Sequence, residues 1–301
     1  MKIMVCDKIS NEAMQALTEK GFEVDVKTGL TPEQLADVIS PYDIVIVRSA
    51  TKVKKVAIDA GTNLKIIARG GVGLDNIDVE AAKAKGIKVV NTPAASSASV
   101  AELALAHLLS IYRFIPQATV TMREGKWEKK SYEGREVSGK TLGIIGIGRI
   151  GQELAKRAYA LGMKILAFDA MVTQAPLDFI TMVDKDRLLK ESDVVSLHIP
   201  KSKDGVAVIG EREFELMKPN SVLINCARGG VVDEKALLNA LNSGKLWGAG
   251  IDVFDKEPTD NQALLMHPKV SLTPHIGAAT KEAQERIGNE LVRVIIEETR
   301  S

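Results

Sequence analysis

Three residues in the last third of the chain carry groups that could move a proton and steady a growing negative charge. They are the guanidinium of Arg228, the carboxylate of Glu257 and the imidazole of His275. An imidazole titrates near neutrality, so His275 can take a proton from a hydroxyl and return it in the reverse direction. Glu257, hydrogen-bonded to the far ring nitrogen, would fix the tautomer and favour the imidazolium. Arg228 offers a planar fork for a carboxylate and can polarise the carbonyl beside it. Taken singly, each has an ordinary reading: a loop cation before two glycines, a surface acid before Pro258, a turn residue after Pro274. Taken together they suit the interconversion of a 2-hydroxy acid and a 2-oxo acid, in which a hydride leaves carbon as a proton leaves oxygen.

A hydride needs an acceptor, and residues 140–169, KTLGIIGIGRIGQELAKRAYALGMKILAFD, read as a place for one. A short apolar run (Leu142, Ile144, Ile145) passes through Gly146-Ile147-Gly148-Arg149-Ile150-Gly151 into a helical pattern ending at Gly162. A second strand, 164–168, then stops on Asp169. Gly146 permits the tight turn, Gly148 removes a side chain where a pyrophosphate approaches the backbone, and Gly151 lets helix and strand pack closely. Unpaired N–H groups at the helix start face the phosphates, with Arg149 over the pyrophosphate and Ile150 beside it. Asp169 at the second strand's tip can accept from both hydroxyls of an adenosine ribose, and its charge would repel a 2′-phosphate. The expected cofactor is therefore NAD rather than NADP.

The elements that must position these groups are those of an α/β chain. Beyond Asp169, helical patterns at 187–190, 211–217 and 234–242 alternate with strands at 194–199, 222–226, 248–253 and 270–272. Each strand ends in a polar cluster: His198-Ile199-Pro200, Asn225-Cys226-Ala227-Arg228, Asp252-Val253-Phe254, and Thr273-Pro274-His275-Ile276-Gly277-Ala278. In a parallel sheet all four lie on the edge where the nucleotide binds. That places His198, Ile199, Pro200, Cys226, Ala227, Arg228, Asp252, His275, Gly277 and Ala278 along NAD. His198 is expected to line the cofactor rather than act as the base, because no acid accompanies it. His267-Pro268 reads as an exposed loop.

Upstream, strands at 3–6, 24–26, 44–47, 64–68 and 88–90 alternate with helices at 11–19, 31–39, 53–60 and 79–85. They imply a second parallel sheet covered on both faces. Nothing there has the dinucleotide pattern. Arg48-Ser49 and Arg69-Gly70-Gly71-Val72-Gly73 follow consecutive strands of that sheet. Two guanidinium groups and a glycine loop at one sheet edge could bind a phosphate or carboxylate. A helix at 100–115, capped by Ser96 or Ser97 and ended by Pro116, is apolar nearly all round and is expected to be buried between domains or subunits. His107 within it reads as a core histidine with satisfied hydrogen bonds, since no second ligand type lies one turn away.

At 301 residues the chain has room for two domains, and its 45% apolar content and net charge of +1 point to neither disorder nor a nucleic-acid partner. Cys6 and Cys226 both fall in expected strands, and there is no HxxxH, CxxC or carboxylate cluster, so no metal is expected. The N-terminal apolar run is too short for a signal peptide and no later run approaches a membrane span, so the expected location is cytoplasmic.

The ordered set Gly146-x-Gly148-x-x-Gly151, Asp169, Asn225-x-Ala227-Arg228-Gly229-Gly230, Asp252-Val253-Phe254-x-x-Glu257-Pro258 and Pro274-His275-Ile276-Gly277 resembles the D-isomer-specific 2-hydroxyacid dehydrogenases over nearly the whole chain. The resemblance implies two doubly wound parallel-sheet domains with a cleft between them. One would be a flavodoxin-like substrate domain of residues 1–92 plus 279–301, completed by a last helix at 281–298. The other would be a Rossmann NAD-binding domain of residues 93–278. It makes Arg228, Glu257 and His275 the catalytic trio and implies a homodimer or homotetramer built around the 100–115 helix. The stretches Arg48-Ser49, Arg69 to Asp78 and Gly125-Lys126-Trp127 are similar to the members that oxidise 3-phosphoglycerate to 3-phosphohydroxypyruvate in serine synthesis. In that subgroup Arg48, Ser49, Arg69, Gly70 and Gly71 would hold carboxylate and phosphate, and Val72 would touch NAD. The chain stops at Ser301 where some of these members carry regulatory domains, so serine feedback through one is expected to be absent. Ile199 replaces a hydroxyl residue common there, removing a side-chain hydrogen bond to NAD. A glyoxylate or hydroxypyruvate reductase is an alternative. So is an NAD-sensing binding protein of the kind found among the family's corepressors.

Overall fold

The computed structural model describes residues 1–202 and 204–300; Ser301, the last residue of the expected first domain, lies outside them. The chain divides into two compact units, Met1–Ser96 with Ala278–Ser301, and Ser97–Gly277. The first begins β1 (Lys2–Val5), α1 (Asn11–Glu19), β2 (Glu23–Val26), α2 (Pro32–Val38), β3 (Ile44–Val47), α3 (Lys55–Ala60), β4 (Ile66–Arg69), α4 (Val79–Ala84) and β5 (Lys88–Asn91). Helix starts follow local chemistry: Ser10 accepts from Ala13 N, and Thr31 and Gln34 form a reciprocal cap with Pro32 in the first turn. The β-branched run Ile44-Val45-Ile46-Val47 is buried throughout, as a central parallel strand requires.

These strands form a parallel sheet in the order β2-β1-β3-β4-β5, the flavodoxin-like order. Alternation along each strand divides the core. Met4, Val45, Val47 and Ile67 pack with Leu35, Ala57, Ile58 and Ala82 of α2, α3 and α4. Ile3, Val5, Ile44, Ile46 and Ile66 pack with Ala13 and Leu17 of α1 and with Ile287, Leu291 and Ile295 near the chain's end.

The second unit runs α5 (Ser97–Arg113), α6 (Ile115–Arg123), β6 (Thr141–Ile145), α7 (Arg149–Ala160), β7 (Lys164–Phe168), β8 (Ile180–Met182), α8 (Lys185–Glu191) and β9 (Val194–Leu197). It continues α9 (Glu211–Leu216), β10 (Ser221–Asn225), α10 (Glu234–Asn242), β11 (Leu246–Ile251), α11 (Gln262–Leu265) and β12 (Val270–Leu272), before α12 (Lys281–Arg300) returns to the first unit. The sheet order is β12-β11-β10-β9-β6-β7-β8, all parallel. The winding direction therefore reverses between β6 and β9, the switch point at which dinucleotides bind in such sheets.

Several expectations need correction. Residues 93–96 and Ala278 belong to the first unit, because Ala95 and Ala278 pack with Ile287 and Leu291 of α12. The helix expected at 100–115 starts at Ser97 and stops at Arg113. Phe114 takes a left-handed φ of 54°, and a separate helix, α6, follows with Pro116 in its first turn, where a missing N–H costs nothing. Its α5 part packs against its own sheet through Ala101, Ala104, Leu108 and Ile111. The short strand β8 and helix α11 are additional elements. Arg69 ends strand β4 instead of following it. Among the described residues no single helix is long and apolar enough to cross a membrane; α5 and α6 qualify only as a pair bent by 60°.

Candidate active site

The loops after β6 and β9 meet at the switch point. Gly146 has φ 96°, and a Cβ there would lie 2.4 Å from the His198 carbonyl oxygen and 2.7 Å from Ile199 Cγ2. A Cβ on Gly151 would fall 2.3 Å from the Gly146 oxygen, so both glycines are demanded by packing. Gly148 differs: a Cβ there would meet nothing within 4 Å, and as the N-cap of α7 it brings no side chain of its own to the amides that follow it. Arg149 is exposed beside it and Ile150 half-buried. Asp169 is held at the end of β7, its Oδ2 accepting from Ile147 N at 2.9 Å and its Oδ1 from Met171 N at 2.8 Å and Val172 N at 3.2 Å. Open space over a glycine, uncapped helix amides and a fixed carboxylate fit a dinucleotide whose ribose keeps both hydroxyls. Gly146, Gly148, Arg149, Ile150, Gly151 and Asp169 are the residues that would hold it.

His198, after β9, donates to or accepts from Ser196 Oγ at 2.9 Å, and burial pushes its pKa down to about 4. A ring held neutral so far into acid is a weak base. Pro200 is exposed, and Cys226 and Ala227 are buried.

At the end of β10, Asn225 clamps the Arg228 turn: its Oδ1 accepts from Ala227 N at 3.1 Å and its Nδ2 donates to the Arg228 carbonyl at 3.1 Å. Arg228 Nη1 donates to the Ala227 carbonyl at 2.6 Å. A Cβ on Gly229 would lie 1.8 Å from the Phe254 oxygen, so this turn presses directly on the turn after β11. There Glu257 Oε1 accepts from Phe254 N at 3.1 Å, and Glu257 Oε2 lies 2.7 Å from His275 Nδ1. The structure thus pairs two residues eighteen positions apart and sets the Arg228 turn against the turn that carries one of them. With Nδ1 on the carboxylate, Nε2 is the nitrogen available to exchange a proton with a hydroxyl.

His275 itself has a left-handed φ of 53° and donates its N–H to the Asp252 carbonyl at 2.8 Å. The Asp252 side chain is 1% exposed and builds this loop: Oδ1 accepts from Thr273 Oγ1 at 2.6 Å and Ile276 N at 2.8 Å, and Oδ2 from Gly277 N at 3.0 Å. Thr273 and Asn225 read only as members of polar clusters in the sequence; their bonds to the His275 and Arg228 turns carry no separate signal in the chain.

In the first unit the loops after β1, β3 and β4 form a second polar cluster. Asp7 accepts from Arg48 N at 2.5 Å, Thr51 N at 3.1 Å and Thr51 Oγ1 at 2.8 Å. Asn76 Nδ2 donates to the carbonyls of Arg48 and Thr51 at 2.7 and 2.6 Å. Burial draws the Arg48 pKa down while the Asp7 charge works against it. Ser49 is exposed. Arg69 is only 9% exposed, and its Nε and Nη1 donate to the carbonyls of Arg48 and Gly73. It shapes this loop from within. Gly70 lies under α12, where a Cβ would be 3.0 Å from Ile287 Cγ2, and Gly71 faces the Arg69 guanidinium. The Val72 carbonyl accepts from Asn91 Nδ2 at 2.6 Å, and that of Ala278 from Gln284 Nε2 at 2.6 Å. Among the described residues no group of three or more His, Cys, Asp or Glu side chains could hold a metal ion.

A sheet of this order, with a nucleotide turn at its switch point and a histidine–glutamate pair at the same edge, defines a nicotinamide-dependent dehydrogenase. The family model of the D-isomer-specific 2-hydroxyacid dehydrogenase NAD-binding domain matches residues 105–277, more than half of the chain. The chain belongs to that family of NAD-dependent oxidoreductases. It is 50% identical over 301 residues to the hydroxypyruvate reductase of Thermotoga maritima, covering 99% of this chain and 98% of that one. It is 46% identical over 299 residues to the D-3-phosphoglycerate dehydrogenase of Archaeoglobus fulgidus, covering 98% of this chain and 57% of that one. The chain spans little more than half the length of the phosphoglycerate dehydrogenases that it matches. The structure of a D-lactate dehydrogenase from Aquifex aeolicus complexed with NAD and lactic acid matches with a TM-score of 0.87 at 31% identity, covering 100% of this chain and 96% of that one.

Proposed function

We propose that this protein oxidises 3-phosphoglycerate to 3-phosphohydroxypyruvate and runs the reverse reduction, the oxidation feeding serine synthesis. The observation that carries the dehydrogenase chemistry is the 2.7 Å contact between Glu257 and His275. NAD, when bound, supplies the hydride acceptor. His275 takes the hydroxyl proton on Nε2, and the Glu257 carboxylate on Nδ1 holds the tautomer and stabilises the imidazolium that results. Arg228 receives the substrate carboxylate in its fork and steadies the negative charge that develops on the adjacent oxygen. The Arg48-Ser49 and Arg69-Gly70-Gly71 loops of the first unit receive the phosphate, with Val72 and Ala278 beside NAD. The 46% identity to a phosphoglycerate dehydrogenase supports this choice.

A second reading, reduction of hydroxypyruvate or glyoxylate without a phosphate contact, is favoured by the 50% identity to a hydroxypyruvate reductase over nearly the full length of both chains. Steady-state kcat/KM across phosphohydroxypyruvate, hydroxypyruvate, glyoxylate and pyruvate decides between them. A preference for the phosphorylated acid that Arg48→Ala abolishes supports the first; equal or better turnover of hydroxypyruvate overturns it. We further propose a cytoplasmic location and a homodimer or homotetramer, the assembly supported by α6, which buries no residue of its own and exposes Ile115, Val120 and Met122, with Trp127 exposed just beyond it.

A further inference from the structure

His107 takes no part in the chemistry above, yet both of its ring nitrogens are engaged. It sits in α5 at 3% exposure, with Nδ1 2.8 Å from Ser271 Oγ and Nε2 3.0 Å from Thr273 Oγ1. Its buried neighbours on the helix, Ala104, Leu108 and Ile111, are apolar, so an aliphatic residue would pack there as well but would take from the Ser271 and Thr273 hydroxyls the partner that the imidazole supplies. Helix and strand approach closely there: a Cβ on Gly250 of β11 would lie 2.6 Å from His107 Cβ.

The direction of each bond follows from the groups involved. A carboxylate only accepts, so the Thr273 hydroxyl, 2.6 Å from Asp252 Oδ1, donates to it. That hydroxyl has one hydrogen, so toward His107 it accepts, and the imidazole proton is on Nε2. Nδ1 then accepts from Ser271. The bonds run one way, from Ser271 through His107 and Thr273 to Asp252. They end on the carboxylate that gathers the N–H groups of Ile276 and Gly277, while the Asp252 carbonyl takes that of His275. Burial lowers the His107 pKa, with the Asp252 charge opposing it, so a neutral, single-tautomer ring matches this network.

We propose that His107 is a positioning residue for the dehydrogenation: through Nε2–H it keeps the Thr273 hydroxyl aimed at Asp252, and so sets the loop that presents His275 to Glu257. This rests on the reading of His275 as the proton acceptor and of Asp252 as a residue beside NAD. Two polar variants separate positioning from space filling. In His107→Gln the side-chain amide reaches the place of Nε2 and keeps the donor to Thr273. In His107→Asn the amide replaces Nδ1 and keeps only the Ser271 contact.

His107→Asn is expected to weaken NADH binding in a fluorescence titration by about three- to tenfold, the size of one lost hydrogen bond. It should also speed deuterium exchange in the segment 274–277 of the protein without nucleotide. His107→Gln should stay within about twofold of the original in both measurements. Equal effects of the two variants, or none from either, overturn the proposal. A long-range proton–nitrogen correlation spectrum of the unaltered protein should show a neutral His107 ring protonated on Nε2; a proton on Nδ1 also overturns it. Should the unaltered protein not bind NADH, the functional reading fails, while the exchange and tautomer measurements still judge the role of His107.

Discussion

Replacing His275 by Ala should lower kcat by about 10²- to 10⁴-fold, the usual worth of a positioned proton acceptor. Glu257→Gln should lower it by a comparable factor, because the amide oxygen stays on Phe254 N and its NH2 then donates to Nδ1, which puts the ring proton on Nε2 and leaves no acceptor for the hydroxyl proton. Stopped-flow absorbance of NADH over both directions measures this, and an unimpaired His275→Ala protein would remove the proposed mechanism. Histidine chemistry also sets an acid limit on stability. His198 titrates near 6.5 when unfolded and at about 4 in the folded protein, because burial disfavours its charged form. Between those values the unfolded chain binds more protons, so stability present above about pH 6.5 is lost as pH falls towards about 4. Urea midpoints taken across that range should slope less steeply in His198→Gln; an unchanged slope would place the acid sensitivity elsewhere.

Two turns carry predictions at the level of the element. Gly229→Ala drives a methyl group into the Phe254 carbonyl, so the Arg228 turn must move or the sheet edge must open, at about 1–3 kcal/mol. A lowered unfolding midpoint together with a raised KM for the acid is the expected pair of results. Asp169→Ala removes the carboxylate from the tip of β7, and the NAD-to-NADP ratio of kcat/KM should fall by about tenfold or more. The β6–α7–β7 stretch was legible in the chain because each glycine answers a different steric demand and the acid ends the second strand. The run from Ile44 to Val47 was legible because four β-branched residues in a row suit a strand buried on both faces. The break at Phe114 was not, since a left-handed φ at a phenylalanine has no compositional signal and the apolar pattern continues through it. β8 is a three-residue edge strand, too short for alternation to register. In the site, the pairing of Glu257 with His275 follows from what their groups can do for each other. The bond from His107 to Thr273 joins residues 166 positions apart and follows from packing alone.

For the whole molecule, nucleotide binding and stability are linked. Free NADH at 100 times its Kd should stabilise the folded state by about 2.7 kcal/mol and raise the thermal midpoint accordingly. A midpoint indifferent to NADH would argue against the cofactor. The second of the two units in sequence is continuous, whereas the first is finished only by α12, whose Ile287, Leu291 and Ile295 complete the layer over Ile3, Ile44 and Ile66. During translation, residues 1–96 therefore leave the ribosome with one side of their sheet half covered, and some 180 further residues must emerge before the missing helix is made. Chaperone occupancy should therefore persist on ribosome-bound chains past residue 280 and drop only after α12 has cleared the ribosome, which comparing chaperone pull-downs of nascent and freshly released chains would detect. The order of synthesis thus makes the unit encoded first the last to mature.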